Sequence, residues 1–149
     1  MAKNKQNSFA IRKTTTPQFA DIKPRLPKFY EFYPVFSLKY YEHNHKEFSV
    51  QCIKVLDDFH DMFNRLQTMS QFKWKSIKAA PHVHHFHPIN WADTSKPHGI
   101  QSLNIRFKES VPIWQFKNFK ECRIIGFFNS DNIFEIVWID RDHQVYPQK

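Results

Sequence analysis

The chain contains only two glycines, Gly99 and Gly126, among its 149 residues. A phosphate-cradling loop needs several glycines close together, so Walker-type nucleotide hydrolases and dinucleotide-binding folds are excluded. Cysteine is as scarce. Cys52 and Cys122 stand far apart and form no CxxC pair, which predicts two free thiols in a reducing cytoplasm. No run approaches the roughly 18 apolar residues of a membrane span. The Lys-rich N-terminus also lacks the apolar stretch of a secretory signal. These absences predict a cytoplasmic protein that makes no membrane contact.

What the chain does have is apolar mass. Hydrophobic residues make up 41% and aromatics 17%, with 16 phenylalanines. That supplies a core for one domain and excludes a fully disordered chain. The formal charge of +8 favours acidic partners such as nucleic acid. The charge is unevenly placed. Residues 1–28 hold seven basic side chains against one acidic, and residues 72–123 hold nine against three; residues 29–71 and 124–149 are each acidic by two.

The expected organisation is a basic flexible arm over 1–28, then a single α+β domain over 29–149 with a His-rich loop at 82–100. The arm reads either as a solubility tail or as an electrostatic clamp on a phosphate backbone. Alternation over 34–42 suits a strand. Asn44, with Glu47 three residues on, has the form of a capping box. It opens a stripe of Phe48, Cys52, Val55, Leu56, Phe59, Met62, Phe63, Leu66 and Met69 at helical spacing. A second short helix is predicted over 71–80, ended by Pro81. An irregular stretch follows over 82–112, with one short strand near 101–107. Strands near 113–117, 122–128 and 132–139, joined by a tight turn at Asn129-Ser130-Asp131, form a C-terminal antiparallel meander. The two flanking the turn are almost continuously apolar, which places them centrally, covered on both faces.

Two constellations carry chemistry. In an extended run, His82 and His84 face one way while His85 and His87 face the other. Either pair offers two imidazoles to a metal, or serves as catalytic or RNA-facing groups; the plain alternative is a polar loop with capping histidines. The C-terminal constellation is Arg123, Arg141, His143 and Tyr146. Arginine, histidine and tyrosine make a metal-free kit for RNA cleavage: a base takes the 2′-OH proton, a cation holds the phosphate and an acid protonates the leaving oxygen. The alternative is a salt-bridged strand end, with Asp140 and Asp142 pairing Arg141 and Arg123.

The run RIIGFF from Arg123, a short turn, IFEIVWI from Ile133 and then DRDHQVY ending at Tyr146 resemble the end of the RelE/ParE/HigB toxin superfamily. There a strand arginine, a hairpin and a closing histidine, arginine and tyrosine recur. The resemblance implies metal-independent mRNA cleavage without a cofactor, or gyrase inhibition in ParE-like members. It assigns Arg123, Arg141, His143 and Tyr146 to the reacting phosphate, with His85 or His87 lining the site, and implies RNA or the ribosome and an antitoxin-like protein as partners. Lys73, Lys75, Lys78, Arg106 and Lys108 are expected to hold RNA, with Trp91 or Trp114 stacking on a base. The segment His87-Pro-Ile-Asn-Trp91 is similar to uncharacterised small prokaryotic proteins of mobile elements. It points to the second reading, a non-enzymatic protein that binds nucleic acid or a protein partner through its basic segments.

Overall fold

The two strands richest in β-branched and aromatic residues form the centre of the molecule, because such side chains pack best on a pleated surface covered from both sides. A computed structural model describes residues 28–103 and 110–147. A 3₁₀ turn at Lys28–Glu31 leads into strand β1 (Phe36–Ser37). Then come helices α1 (Leu56–Met69), α2 (Trp74–Lys78) and α3 (Pro81–His84). Strands β2 (His87–Pro88), β3 (Trp114–Lys117), β4 (Arg123–Phe128) and β5 (Phe134–Asp140) complete the fold. The sheet order is β1-β5-β4-β3-β2. β1 runs parallel to β5 and every other neighbour is antiparallel. The class is α+β, and the predicted meander is β3-β4-β5.

The sheet divides two cores. Helices α1 to α3 cover one face, where Met62, Met69, Trp74, Ile77 and Phe86 pack on Phe116, Ile124 and Phe134. Loops cover the other face, where Phe48, Ile89, Ile100 and Val145 pack on Ile125, Phe127 and Val137. A bulge sits where β4 and β5 change register: Ile125 pairs with Trp138 but Gly126 with Ile136. Val137 is the extra residue, so Val137 and Trp138 join the same core. The bulge leaves the Val137 carbonyl to accept the Glu42 N–H at 3.1 Å. Gly126 is required at this point, since a Cβ there would lie 2.0 Å from the Glu135 carbonyl oxygen.

Three expectations are corrected. The long helix starts at Leu56, not after Asn44. Phe48 belongs to the core on the loop side and Met62 to the core on the helix side, so one straight helix cannot bury both. The chain instead turns at 43–48, where the His45 ring, not Asn44, accepts the N–H groups of Glu47 and Phe48. The strand expected over 34–42 shrinks to Phe36–Ser37, because the chain turns at Leu38 to Tyr41. The histidine run is not extended either: Pro81 at the first helical position pre-sets a single α-turn through His84. The second helix and its end before Pro81 are as expected. The strand near 101–107 falls largely outside the described residues. Among the described residues no helix is long and apolar enough to cross a membrane.

Candidate functional site

Cys122, just before β4, and Ile124 on it face the helices, so the period of two turns Arg123 to the opposite face with Ile125 and Phe127. Register places Lys117 of β3 and Asp140 of β5 on either side of Arg123. The row Lys117–Arg123–Asp140 therefore sets two cations side by side, an arrangement that is destabilising in an unliganded sheet. Arg123 is only 4% exposed. One of its terminal nitrogens donates to the Glu121 and Cys122 carbonyls at 2.9 and 3.3 Å. Its Nε is buried and has no hydrogen-bond partner among the described residues.

Two histidines converge electrostatically on this arginine. Asp140 turns the chain after β5 by accepting the Gln144 and Val145 N–H groups, both at 2.8 Å. That turn holds His143 in the left-handed region, at φ 55°. Its Nδ1 is buried without a partner among the described residues. His85 caps α3, donating its N–H to the Pro81 carbonyl at 2.9 Å, also left-handed at φ 45°. Left-handed caps favour glycine, and a side chain there costs about 1 kcal/mol. Both imidazoles are held below their ordinary pKa. For His143 the causes are burial first, then Arg123 and His85, opposed by Asp140 and Glu121. For His85 they are burial, then Arg123, Lys117, His87 and His82. Burial likewise lowers Arg123 and raises Asp140, although two backbone amides and Arg123 partly offset the latter. Asp140 spends its oxygens on its own turn. The assembled site is thus a cationic, half-buried surface with two neutral imidazoles, suited to an anion such as a phosphate diester.

The other expected residues lie elsewhere. Arg141 points to the helix face, where two of its nitrogens donate to Asp58 at 2.6 and 3.2 Å and its guanidinium lies over Phe119 at 5.1 Å. It also pairs with Asp142 at 3.3 Å, so the salt-bridged strand end holds for Arg141. Tyr146 fastens the C-terminus to the loop after β2, its hydroxyl accepting the Asn90 N–H at 2.8 Å. Lys73 and Lys75 pair with Glu31 at 3.8 and 3.0 Å, and Lys78 lies over Tyr30 and Trp114. Lys73 caps α2 and the other two belong to it, so all three stand behind the sheet. Trp114 stacks on Phe86 at 4.6 Å, so its ring already serves the core. Trp91 packs edge-on to Trp138 at 6.1 Å. Arg106 and Lys108 lie outside the described residues, as does the arm over 1–27.

The four clustered histidines disperse. His82 is exposed, and His84 accepts from Arg65 at 2.6 Å. With the His87 Nδ1 proton on the Pro88 carbonyl, its Nε2 accepts from the Gln115 amide at 2.9 Å. Among the described residues no group of three metal-ligating side chains forms. Lys117 is the site residue that sequence reasoning missed. Its signal was the β3–β4 register, which composition does not carry.

Fold and site together define an α+β protein with a cationic, histidine-flanked row on the loop-covered face of a mixed sheet. Residues 28–149 match the model of the family described as Uncharacterised protein UU032, and the chain belongs to that family. No curated protein and no solved structure matches it.

Proposed function

We propose that this chain acts on RNA, in the manner of a RelE-like toxin, by metal-independent cleavage at Arg123, Lys117, His143 and His85. The observation that carries the reading is a buried arginine whose Nε has no hydrogen-bond partner among the described residues, with two imidazoles kept in left-handed backbone within its electrostatic reach. Arg123 and Lys117 bind the scissile phosphate and stabilise the extra charge of its five-coordinate transition state. A neutral imidazole, His143, removes the 2′-OH proton; the O2′–P bond forms and the P–O5′ bond breaks. The bound phosphate's negative charge raises the imidazole pKa values. His85, which takes up a proton from solvent once the phosphate is bound, gives that proton to the departing O5′. The products are a 2′,3′-cyclic phosphate and a 5′-hydroxyl. Arg141 and Tyr146 support the fold in this scheme.

The test is cleavage of single-stranded RNA by the purified chain in chelator. Activity is expected, falling about 100-fold or more in His143→Ala and Arg123→Gln but not in Arg141→Lys. A chain that neither cleaves nor binds RNA overturns the proposal. The engagement of Arg141 and Tyr146 in structural contacts favours a second reading, in which the same row binds nucleic acid without turnover. Salt-sensitive binding without cleavage, weakened by Lys117→Gln, decides for that reading.

A further inference from the structure

Beyond the Arg123 row, on the same face of the sheet, lies a half-open cavity of about 460 Å³ between the 42–48 turn, the loop at 96–102 and β5. Its size falls within the range of small-molecule sites. Three rings pack together behind one wall, Phe48 and Trp138 at 4.6 Å, His45 and Phe48 at 4.9 Å, and His45 and Trp138 at 5.2 Å between centroids; Phe48 and Trp138 are buried, and the half-buried His45 ring is the one that reaches the opening. The polar groups are fixed. Glu42 accepts the Trp138 indole N–H at 2.7 Å and the Ser102 hydroxyl. Lys96 pairs with Glu47 at 2.7 Å and lies over the Phe48 ring at 5.4 Å. His45 Nδ1 accepts two backbone N–H groups, so the proton of its neutral ring sits on Nε2, a remaining donor.

The chemistry of the occupant follows. A cation is disfavoured because Lys96 already covers Phe48 and both Glu42 oxygens are engaged. An anion is disfavoured by Glu42 and Glu47. A purely apolar molecule would leave the His45 and Gln101 donors unmatched. What fits is a neutral, planar ring with hydrogen-bonding edges. We propose that this cavity receives an unstacked nucleobase of single-stranded RNA. Single-stranded RNA is read by such aromatic and polar contacts to splayed bases. Trp138 and Asp140 lie two residues apart on one strand, roughly 7 Å, so the cavity neighbours the row that the proposed function assigns to phosphate. The inference rests on that function for the identity of the polymer, and on the cavity alone for the base.

The experiment uses the whole chain and four uncharged nucleosides: uridine, cytidine, adenosine and guanosine. Each is titrated to about 5 mM, the limit for millimolar binding, while the amides of residues 99–102 and the Trp138 indole N–H are followed by NMR. At least one nucleoside is expected to shift these resonances, independently of salt and equally in Arg123→Gln. Ser102→Trp, which fills the cavity, should weaken that response about tenfold; Gln101→Ala provides a milder variant should the larger one fail to fold. A single-stranded oligoribonucleotide is expected to displace the nucleoside. No shift with any nucleoside overturns the proposal. So does a response to choline or arginine in place of nucleosides, which would mark a cation cage, and so does a nucleoside that RNA fails to displace. Nucleosides carry no phosphate, so loss of RNA cleavage with these shifts retained refutes the proposed function and leaves the cavity assignment standing.

Discussion

Single residues already set expected behaviour with pH. His84, His85 and His143 are all held below the ordinary imidazole range, each by burial first and by neighbouring cations second. For His84 that cation is Arg65. An unfolded histidine takes up its proton near pH 6.5. As pH falls through that value the unfolded chain binds protons that the native chain refuses, so stability drops until the native histidines also protonate. Asp140 acts in the opposite sense at lower pH: raised by burial, it takes up a proton in the native state before the unfolded state does. Urea denaturation should therefore show unfolding free energy falling from about pH 7.5 to 5.5, less steeply in His143→Gln; a flat profile would contradict the burial assigned to these rings. The left-handed backbone of His85 and His143 supplies a second residue-level prediction. His85→Gly and His143→Gly should each be about 1 kcal/mol more stable than the corresponding alanine variant, read from the same denaturation curves. If glycine is as stable as alanine at both positions, no strain is stored there.

At the scale of elements, the hairpin and its bulge decide whether the fold forms. Gly126→Ala drives a Cβ against the Glu135 carbonyl and to within 2.8 Å of the Phe134 ring. Backbone cannot yield as a flexible side chain can, so a loss of about 3 kcal/mol or more is expected, read as a lower melting temperature or as failure to express folded protein. In α1, Met62 is buried while Phe63 is 56% exposed beside Phe59. Met62→Ala should cost about 2–5 kcal/mol, whereas Phe63→Ser should change stability by under about 0.5 kcal/mol; equal losses would mean the wrong face has been taken as buried. The β4–β5 hairpin was legible because RIIGFF and FEIVWID leave no polar face, so only a central position buries them. The start of α1 was not legible. The apolar spacing from Phe48 to Met69 is compatible with one helix, but half of those side chains serve different faces of the sheet or none, and spacing along a chain does not say which core a residue joins. Asp58 shows the same limit. It occupies a helix position that reads as solvent-facing, yet it is buried as the partner of Lys120 and Arg141 at 2.7 and 2.6 Å.

Over the whole molecule, folding sorts a formal charge of +8 into cations that are already matched and cations that are not. Lys73 and Lys75 are matched by Glu31, Lys96 by Glu47, and Lys120 and Arg141 by Asp58. Among the described residues Lys117 and Arg123 have no carboxylate in ion-pair reach, although they stand side by side on one face. Segment charge pointed to 72–123 as the contact region for nucleic acid; on the loop-covered face the described part of it narrows to this pair, because carboxylates distant in sequence pair with Lys73, Lys75, Lys96 and Lys120 and Lys78 lies over the Tyr30 and Trp114 rings behind the sheet. The pair therefore has counter-ions to release when a phosphate binds, and the matched lysines have far fewer. For single-stranded RNA each phosphate neutralised contributes about −0.7 to the slope of log affinity against log salt. Lys117→Gln and Arg123→Gln should each flatten that slope by about 0.7, while Lys75→Gln leaves it unchanged. Residues 1–27, which precede the segment matched to the family and carry six basic side chains against one acidic, should add their own share, so their removal flattens the slope further without altering the effect of Lys117→Gln. Filter binding across a salt series measures all four variants. If Lys75→Gln and Lys117→Gln flatten the slope equally, RNA contacts the helix side of the sheet as much as the Arg123 row, and the site assigned to the phosphate is wrong.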